Sequence, residues 1–258
     1  MTAGSPGSGL LEDPAMLDDD ELRGHLLSRK EALTAMAGAG AFLLAGGRNA
    51  RAEAPAKRPC VALPEMTEGP FFVEDRLERS DIRVEPEGGD PTPGAMLQLR
   101  LNVSQLSGDA CVPFPGAMVD IWHCDALGAY SGAKDSRYDY TDKRFLRGYQ
   151  FTDANGEARF TTIYPGWYPG RAVHIHFKIQ SPAEDGKALE FTSQLFFDDA
   201  FSAKVFAEPP YAVHGPHDQK NEDDGIYRRG GEQLLLEVTE KDGAYSAVFD
   251  IAVKVDAV

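Results

Sequence analysis

From Met96 onward, apolar and polar residues alternate with a period of two. Residues 96–104 set Leu97, Leu99, Leu101 and Val103 against polar neighbours. Successive side chains of a strand point to opposite faces, so this segment is predicted to be a strand with one buried face. The same alternation runs through residues 117–124, 157–164, 173–179, 191–197, 233–239 and 245–255. Asn155-Gly156 and Asp242-Gly243 are the residue pairs that favour tight hairpin turns between such runs. Beyond Glu53, no segment of about twelve or more residues keeps a helical period. Seven or more short strands with Gly/Pro-rich turns imply a sandwich or barrel, and we expect an all-β fold: an antiparallel β-sandwich core with long irregular loops. Two of these loops, residues 60–94 and 198–232, are unusually long and rich in aromatics. Loops of that length in a compact domain tend to be functional, so both are expected to cover or wall a site.

The first fifty residues follow a different pattern. Residues 1–20 are Gly/Ser-rich and then acidic, with no apolar face to pack. Residues 28–54 run from the basic pair Arg29-Lys30 through an Ala/Gly/Leu stretch to Ala50-Arg51-Ala52. That is the order of basic region, apolar region and small-residue cleavage site in an export signal. It resembles a twin-arginine signal with Lys in the second basic position. The expected organisation is therefore a leader over residues 1–52 and one domain over 53–258, exported to the periplasm or beyond. In an oxidising compartment disulfides persist, and Cys60, Cys111 and Cys124 allow three different single bridges, among which the sequence does not choose.

A net charge of −15 argues against a nucleic-acid or anionic-membrane partner, since both require a basic surface. No apolar run reaches the roughly 18 residues of a membrane-spanning helix, so no membrane partner is expected for the mature form. A small ligand is the better match, and the sequence leaves a homo-oligomer open.

The candidate chemistry lies in TTIYPGWYPGRAVHIHFKIQ, residues 161–180. Residues i and i+2 of a strand share a face, so His174 and His176 would present two imidazoles side by side, a metal-ligand arrangement. Such a pair in a strand can equally be ordinary surface or core histidines. A zinc site would complete it with a third His or a carboxylate, but the residues that follow are Phe177-Lys178-Ile179-Gln180. Tyr168 lies in a Pro/Gly-rich turn close by. A phenol near its ordinary pKa of about 10 ionises only on a strong Lewis acid, and hard Fe(III) suits oxygen anions together with imidazole. A lone tyrosine in such a turn is more often packing than ligand.

The segments TEGPFF, VPFPGAMVDIWHCDALGAYSG, FLRGYQFTDANGEARFTTIYPGWYPGR and HIHFKI resemble the intradiol ring-cleavage dioxygenases, which include protocatechuate 3,4-dioxygenases and catechol 1,2-dioxygenases. The likeness runs from about Thr67 to Phe197. It implies a non-haem Fe(III) held by Tyr130, Tyr168, His174 and His176, with Arg171 and Gln194 beside the substrate, and Tyr164 either supporting those ligands from behind or packing. It also implies that a small catecholic substrate displaces Tyr168 and is cleaved with O2 to a cis,cis-muconate. Phe71 and Phe72 would wall the substrate and offer no cation for a carboxylate. The competing readings are a non-catalytic binding module on the same fold, and a zinc or copper enzyme that uses the two histidines with a carboxylate.

Overall fold

The computed structural model describes residues 61–181 and 189–254. The expected leader, Cys60 and Val255 lie outside the described residues. Ten strands form two five-stranded sheets: β1 (Met96–Ser107), β2 (Ala110–Pro113), β3 (Met118–Trp122), β4 (Arg147–Phe151), β5 (Glu157–Ile163), β6 (His174–Gln180), β7 (Glu190–Phe197), β8 (Leu235–Leu236), β9 (Val238–Lys241) and β10 (Ala244–Val253). The first sheet has the order β4-β3-β6-β7-β8. In the second, the long β1 takes β10 along one edge and β5, then β2, along the other, while β9 extends β10. Between the sheets lies one core: Leu97, Leu99, Leu101 and Val103 from β1, Ile251 and Val253 from β10, Val119 and Ile121 from β3, and Ile175, Phe177 and Ile179 from β6. Each such side chain contributes about 1.5–3 kcal/mol on burial. That explains why the alternation of β1 is so regular.

Two expectations about pairing need correction. The sheets are mixed, because β1 pairs with β10 in parallel from Leu97↔Tyr245 to Gln105↔Val253, and β7 pairs with β8 in parallel. Both partners arrive after long excursions, so no tight turn imposes an antiparallel direction. Asn155-Gly156 does not close a hairpin either. It carries the chain from β4 in one sheet to β5 in the other, and Gly156 (φ +77°) packs so closely that a Cβ there would stand 2.2 Å from the Val103 carbonyl oxygen. Asp242-Gly243 does close the β9–β10 hairpin, with positive φ at both residues (52° and 78°) as a type I′ turn requires.

The run 233–239 divides at Glu237: β8 joins one sheet and β9 the other. The fully exposed β2 had no alternation to reveal it. Among the described residues the one α-helix, α1 (Asp199–Phe206), is too short for a periodicity signal; Asp198 caps it by accepting from the Phe201 N–H at 2.7 Å. Cys111 is disulfide-bonded, and Cys124 is free and buried. Among the described residues no helix is long and apolar enough to cross a membrane.

Candidate active site

Both faces of β6 are covered, which is why its burial is nearly continuous. Ile175, Phe177 and Ile179 enter the core, and His174, His176 and Lys178 face the other way. In register, Trp122 and Gln194 flank His176 from β3 and β7. The Trp122 ring stacks on that imidazole at 4.9 Å and 4°. His174 Nδ1 lies 2.6 Å from the Ala172 carbonyl oxygen, which can only accept, so Nδ1 carries the proton and Nε2 a lone pair. His174 Nε2 lies 3.0 Å from His176 Nε2. For both Nε2 atoms to offer lone pairs at this one spot, the His176 proton must sit on Nδ1, which is buried with no hydrogen-bond partner among the described residues. Burial, with Arg171 adding to it, pushes His174 down to about 3; burial and then His174 push His176 well below the usual imidazole range. Both rings are therefore neutral near pH 7 and have lone pairs to offer.

Two loops bring tyrosines to the same place. Tyr130 follows β3 on a turn in which Asp125 accepts from the N–H groups of Leu127 and Ala129 at 2.9 Å each. Tyr168 lies on the segment joining β5 to β6. These loops touch through backbone, because a Cβ on Gly128 (φ +82°) would stand 2.1 Å from the Trp167 carbonyl oxygen. The two phenol rings lie edge to face at 5.7 Å, and Phe71 stacks on Tyr130 at 4.3 Å. The Tyr130 hydroxyl is buried with no hydrogen-bond partner among the described residues, and burial raises its pKa. Tyr168, half-buried, places its hydroxyl 3.4 Å from His174 Nε2 and 3.3 Å from Arg171 Nη1. Tyr164 is elsewhere, fully buried and bonded to Ser202 Oγ at 2.7 Å. His123 is also apart, buried between Thr162 Oγ1 and the Cys124 carbonyl.

Arg171 is held on two sides. Its Nε donates to Asp224 Oδ2 at 3.0 Å and its Nη2 to Gln194 Oε1 at 2.5 Å, and Gln194 Nε2 in turn donates to the Thr67 carbonyl at 3.0 Å. Burial pulls Asp224 upward, but the Arg171 guanidinium and the Ala172 N–H outweigh it and lower the carboxyl below its ordinary value. A cleft of about 230 Å³ opens over Tyr130 and Tyr168, walled by Phe71 and by residues 135–138. Phe71 and Phe72 bring no charge; the charged residues lining this cleft are Arg137 and Asp135, which lie 3.9 Å apart as an ion pair.

Two imidazole lone pairs, a partnerless buried phenol and a second phenol within hydrogen-bond reach form a donor set of hard oxygen and nitrogen, which fits Fe(III). Among the described residues, no group of three or more His, Cys, Asp or Glu stands ready for a metal, so the zinc or copper alternative lacks its carboxylate. A family model described as a dioxygenase matches residues 67–213, more than half the chain. The chain belongs to the intradiol ring-cleavage dioxygenases. An intradiol ring-cleavage dioxygenase from Tetranychus urticae is 32% identical and superposes with a TM-score of 0.65, covering 76% of this chain and 95% of that one. The dioxygenase domain of a carbohydrate-binding fusion from Streptomyces sp. SirexAA-E is 30% identical, with a TM-score of 0.53 over 76% of this chain and 100% of that domain. A hydroxyquinol 1,2-dioxygenase from Corynebacterium glutamicum is 32% identical over 44% of this chain. The chain spans only 40% of that relative's length.

The structure brings together the six residues that the family resemblance points to: Tyr130, Tyr168, His174, His176, Arg171 and Gln194. Sequence reasoning missed Asp224, which orients Arg171 from 53 residues away, and Trp122, which stacks on His176. Asp224 lies in a loop without periodicity and had no signal. Trp122 had one, since it stands in the strand run 117–124 on the polar side of the alternation.

Proposed function

We propose that this dioxygenase is a non-haem Fe(III) enzyme that cleaves catecholic rings with O2 between the two hydroxyl-bearing carbons, giving cis,cis-muconate-type products. The observation that carries the reading is the convergence of Tyr130, Tyr168, His174 and His176 on one spot beside a fixed guanidinium. These four residues would hold the metal. Bound there, the ferric ion would supply a Lewis acid that ionises the phenols and draws electron density from a chelated catechol.

The chain's own residues account for the remaining requirements. Tyr168 is the more exposed of the two tyrosines, so it is the ligand that can give way to substrate; its Oη then accepts one of the two catechol protons, and the second leaves to solvent through the cleft that Tyr168 lines. No carboxylate base is needed. Arg171, tied by Asp224 and Gln194, keeps Nη1 directed at the Tyr168 oxygen and would stabilise negative charge developing there. Phe71, stacked on Tyr130, forms an apolar wall that excludes water from the ring. Both oxygen atoms of O2 end in the product, so no external reductant is required.

Oxygen uptake against a panel of catechols, with a visible spectrum of the protein purified without chelator, tests the proposal. Turnover together with a red-brown tyrosinate absorption is expected. A colourless protein that takes up no iron on reconstitution would be a binding module instead. The reading extends to export, supported by the order of residues in 28–54: protein recovered from outside the cytoplasm should begin near Glu53, and an intact Met1 there would contradict it.

A further inference from the structure

Lys178 is the third residue on the face of β6 that carries His174 and His176, and the proposed chemistry gives it no task. It is 4% exposed, an unusual place for a lysine. Its Nζ is ion-paired with Glu68, lies 3.3 Å from Glu190 Oε1 and stands 4.1 Å from the centre of the Phe72 ring. Two of these partners belong to one segment, residues 67–72. In that segment Phe71 stacks on Tyr130 and Phe72 packs on Trp122 at 4.9 Å. Gly69 crosses His176 so closely that a Cβ there would stand 3.3 Å from Cε1. Upstream, the segment is fixed to β7 by the Met66 N–H to Thr192 carbonyl bond and by Gln194 to Thr67. Downstream, Asp75 is held by Arg144 at 2.7 Å. Between those ties, Lys178 grips the segment from the sheet.

We propose that Lys178 is a positioning residue for the substrate. It clamps residues 67–72 onto the sheet through Glu68 and Phe72, and so sets where the Phe71–Phe72 wall stands over the tyrosines and histidines. With its lysine buried but Glu68 and Glu190 partly exposed, this ion pair is weak evidence for stability, since exposed pairs contribute little and an apolar side chain often replaces a buried charge at no loss. A lysine at this point therefore calls for an explanation in geometry. The inference rests on the dioxygenase reading for its substrate, although the clamp itself does not.

The test compares Lys178→Met, Glu68→Gln and the double variant, each loaded with iron. Because Met replaces a buried charge with an apolar chain of similar length and Glu68 can reach solvent, Lys178→Met is expected to fold. Amide hydrogen exchange within residues 67–73 should quicken about ten-fold or more, while exchange in β6 stays slow. KM for catechol should rise roughly ten-fold with kcat changed far less, and the double variant should be no worse than Lys178→Met alone. Unchanged exchange in residues 67–73, or losses that simply add in the double variant, would overturn the clamp. If the wild-type protein turned over no catechol, the dioxygenase reading would fail, and the exchange comparison would still decide whether Lys178 holds the segment.

Discussion

Two tyrosines four positions apart illustrate how much the surroundings decide. Tyr164 is sealed in the core with its hydroxyl on Ser202, and its carbonyl accepts from the Tyr211 hydroxyl at 2.7 Å. Tyr168 is half-buried, between His174 and Arg171. Tyr168→Phe should therefore keep part of the iron but lower kcat at least about ten-fold and shift the visible band, because the proton acceptor is gone. Tyr164→Phe should leave both untouched and lower unfolding stability by about 1 kcal/mol, the worth of one buried hydrogen bond. Equal kinetics in the two variants would refute the division. Five of the six site residues could be named beforehand because they stand in compact strings, TEGPFF to HIHFKI, whose resemblance to a family goes beyond pattern, and Gln194 followed from the same likeness on the next strand. From periodicity alone only His174 and His176 were visible as a pair. Asp224 and Lys178 were invisible for opposite reasons: one depends on a loop folding back, and the other is a charged residue whose place in an alternating strand gives no sign that its own face is covered too.

At the scale of elements, the alternation of β1, β3, β5, β6, β7 and β10 was legible because one face of each meets the common core. What alternation cannot reveal is which strand lies beside which, and it was there that the expected hairpin at Asn155-Gly156 and the all-antiparallel sheets gave way. Turns carry more than direction here. Gly128 lets the Tyr130 loop rest on the backbone of the Tyr168 segment, so it sets how the two phenols meet. Gly116 has a similar positive φ of 74° but open space around it. Alanine at Gly116 should cost about 1–2 kcal/mol, the left-handed backbone penalty alone. Alanine at Gly128 adds a clash with the Trp167 carbonyl, and should cost a further 1–3 kcal/mol or so and lower iron content. Denaturation midpoints and metal analysis of the pair separate the two contributions; equal values would show that the loops are not in contact.

The molecule as a whole carries an excess of negative charge, yet one of its carboxyls is held against ionisation. Burial raises Asp120 to about 7, even though Arg147 and Lys178 oppose the shift. A folded-state pKa above the ordinary 3.8 means that the folded protein holds this proton more tightly than the unfolded chain. Asp120 therefore favours folding below pH 4, and that contribution is lost as the pH rises to about 7. Asp120→Asn should raise the melting temperature at pH 8, by about 2–4 °C for each kcal/mol regained in a chain of this size, and change it little at pH 4. A gain of equal size at both pH values would point to packing instead. The parallel pairing of β1 with β10 has a consequence on another axis, that of time. Asn102 meets Asp250 at 2.7 Å across 148 residues of chain, so the β1–β10 edge cannot close until almost the whole described sequence has been synthesised. Contacts so distant in sequence form slowly. Four strands of the sheet that carries the histidines, β4-β3-β6-β7, can assemble earlier from segments closer together, whereas its edge strand β8 and the β10 flank of the core both come from the last part of the described sequence.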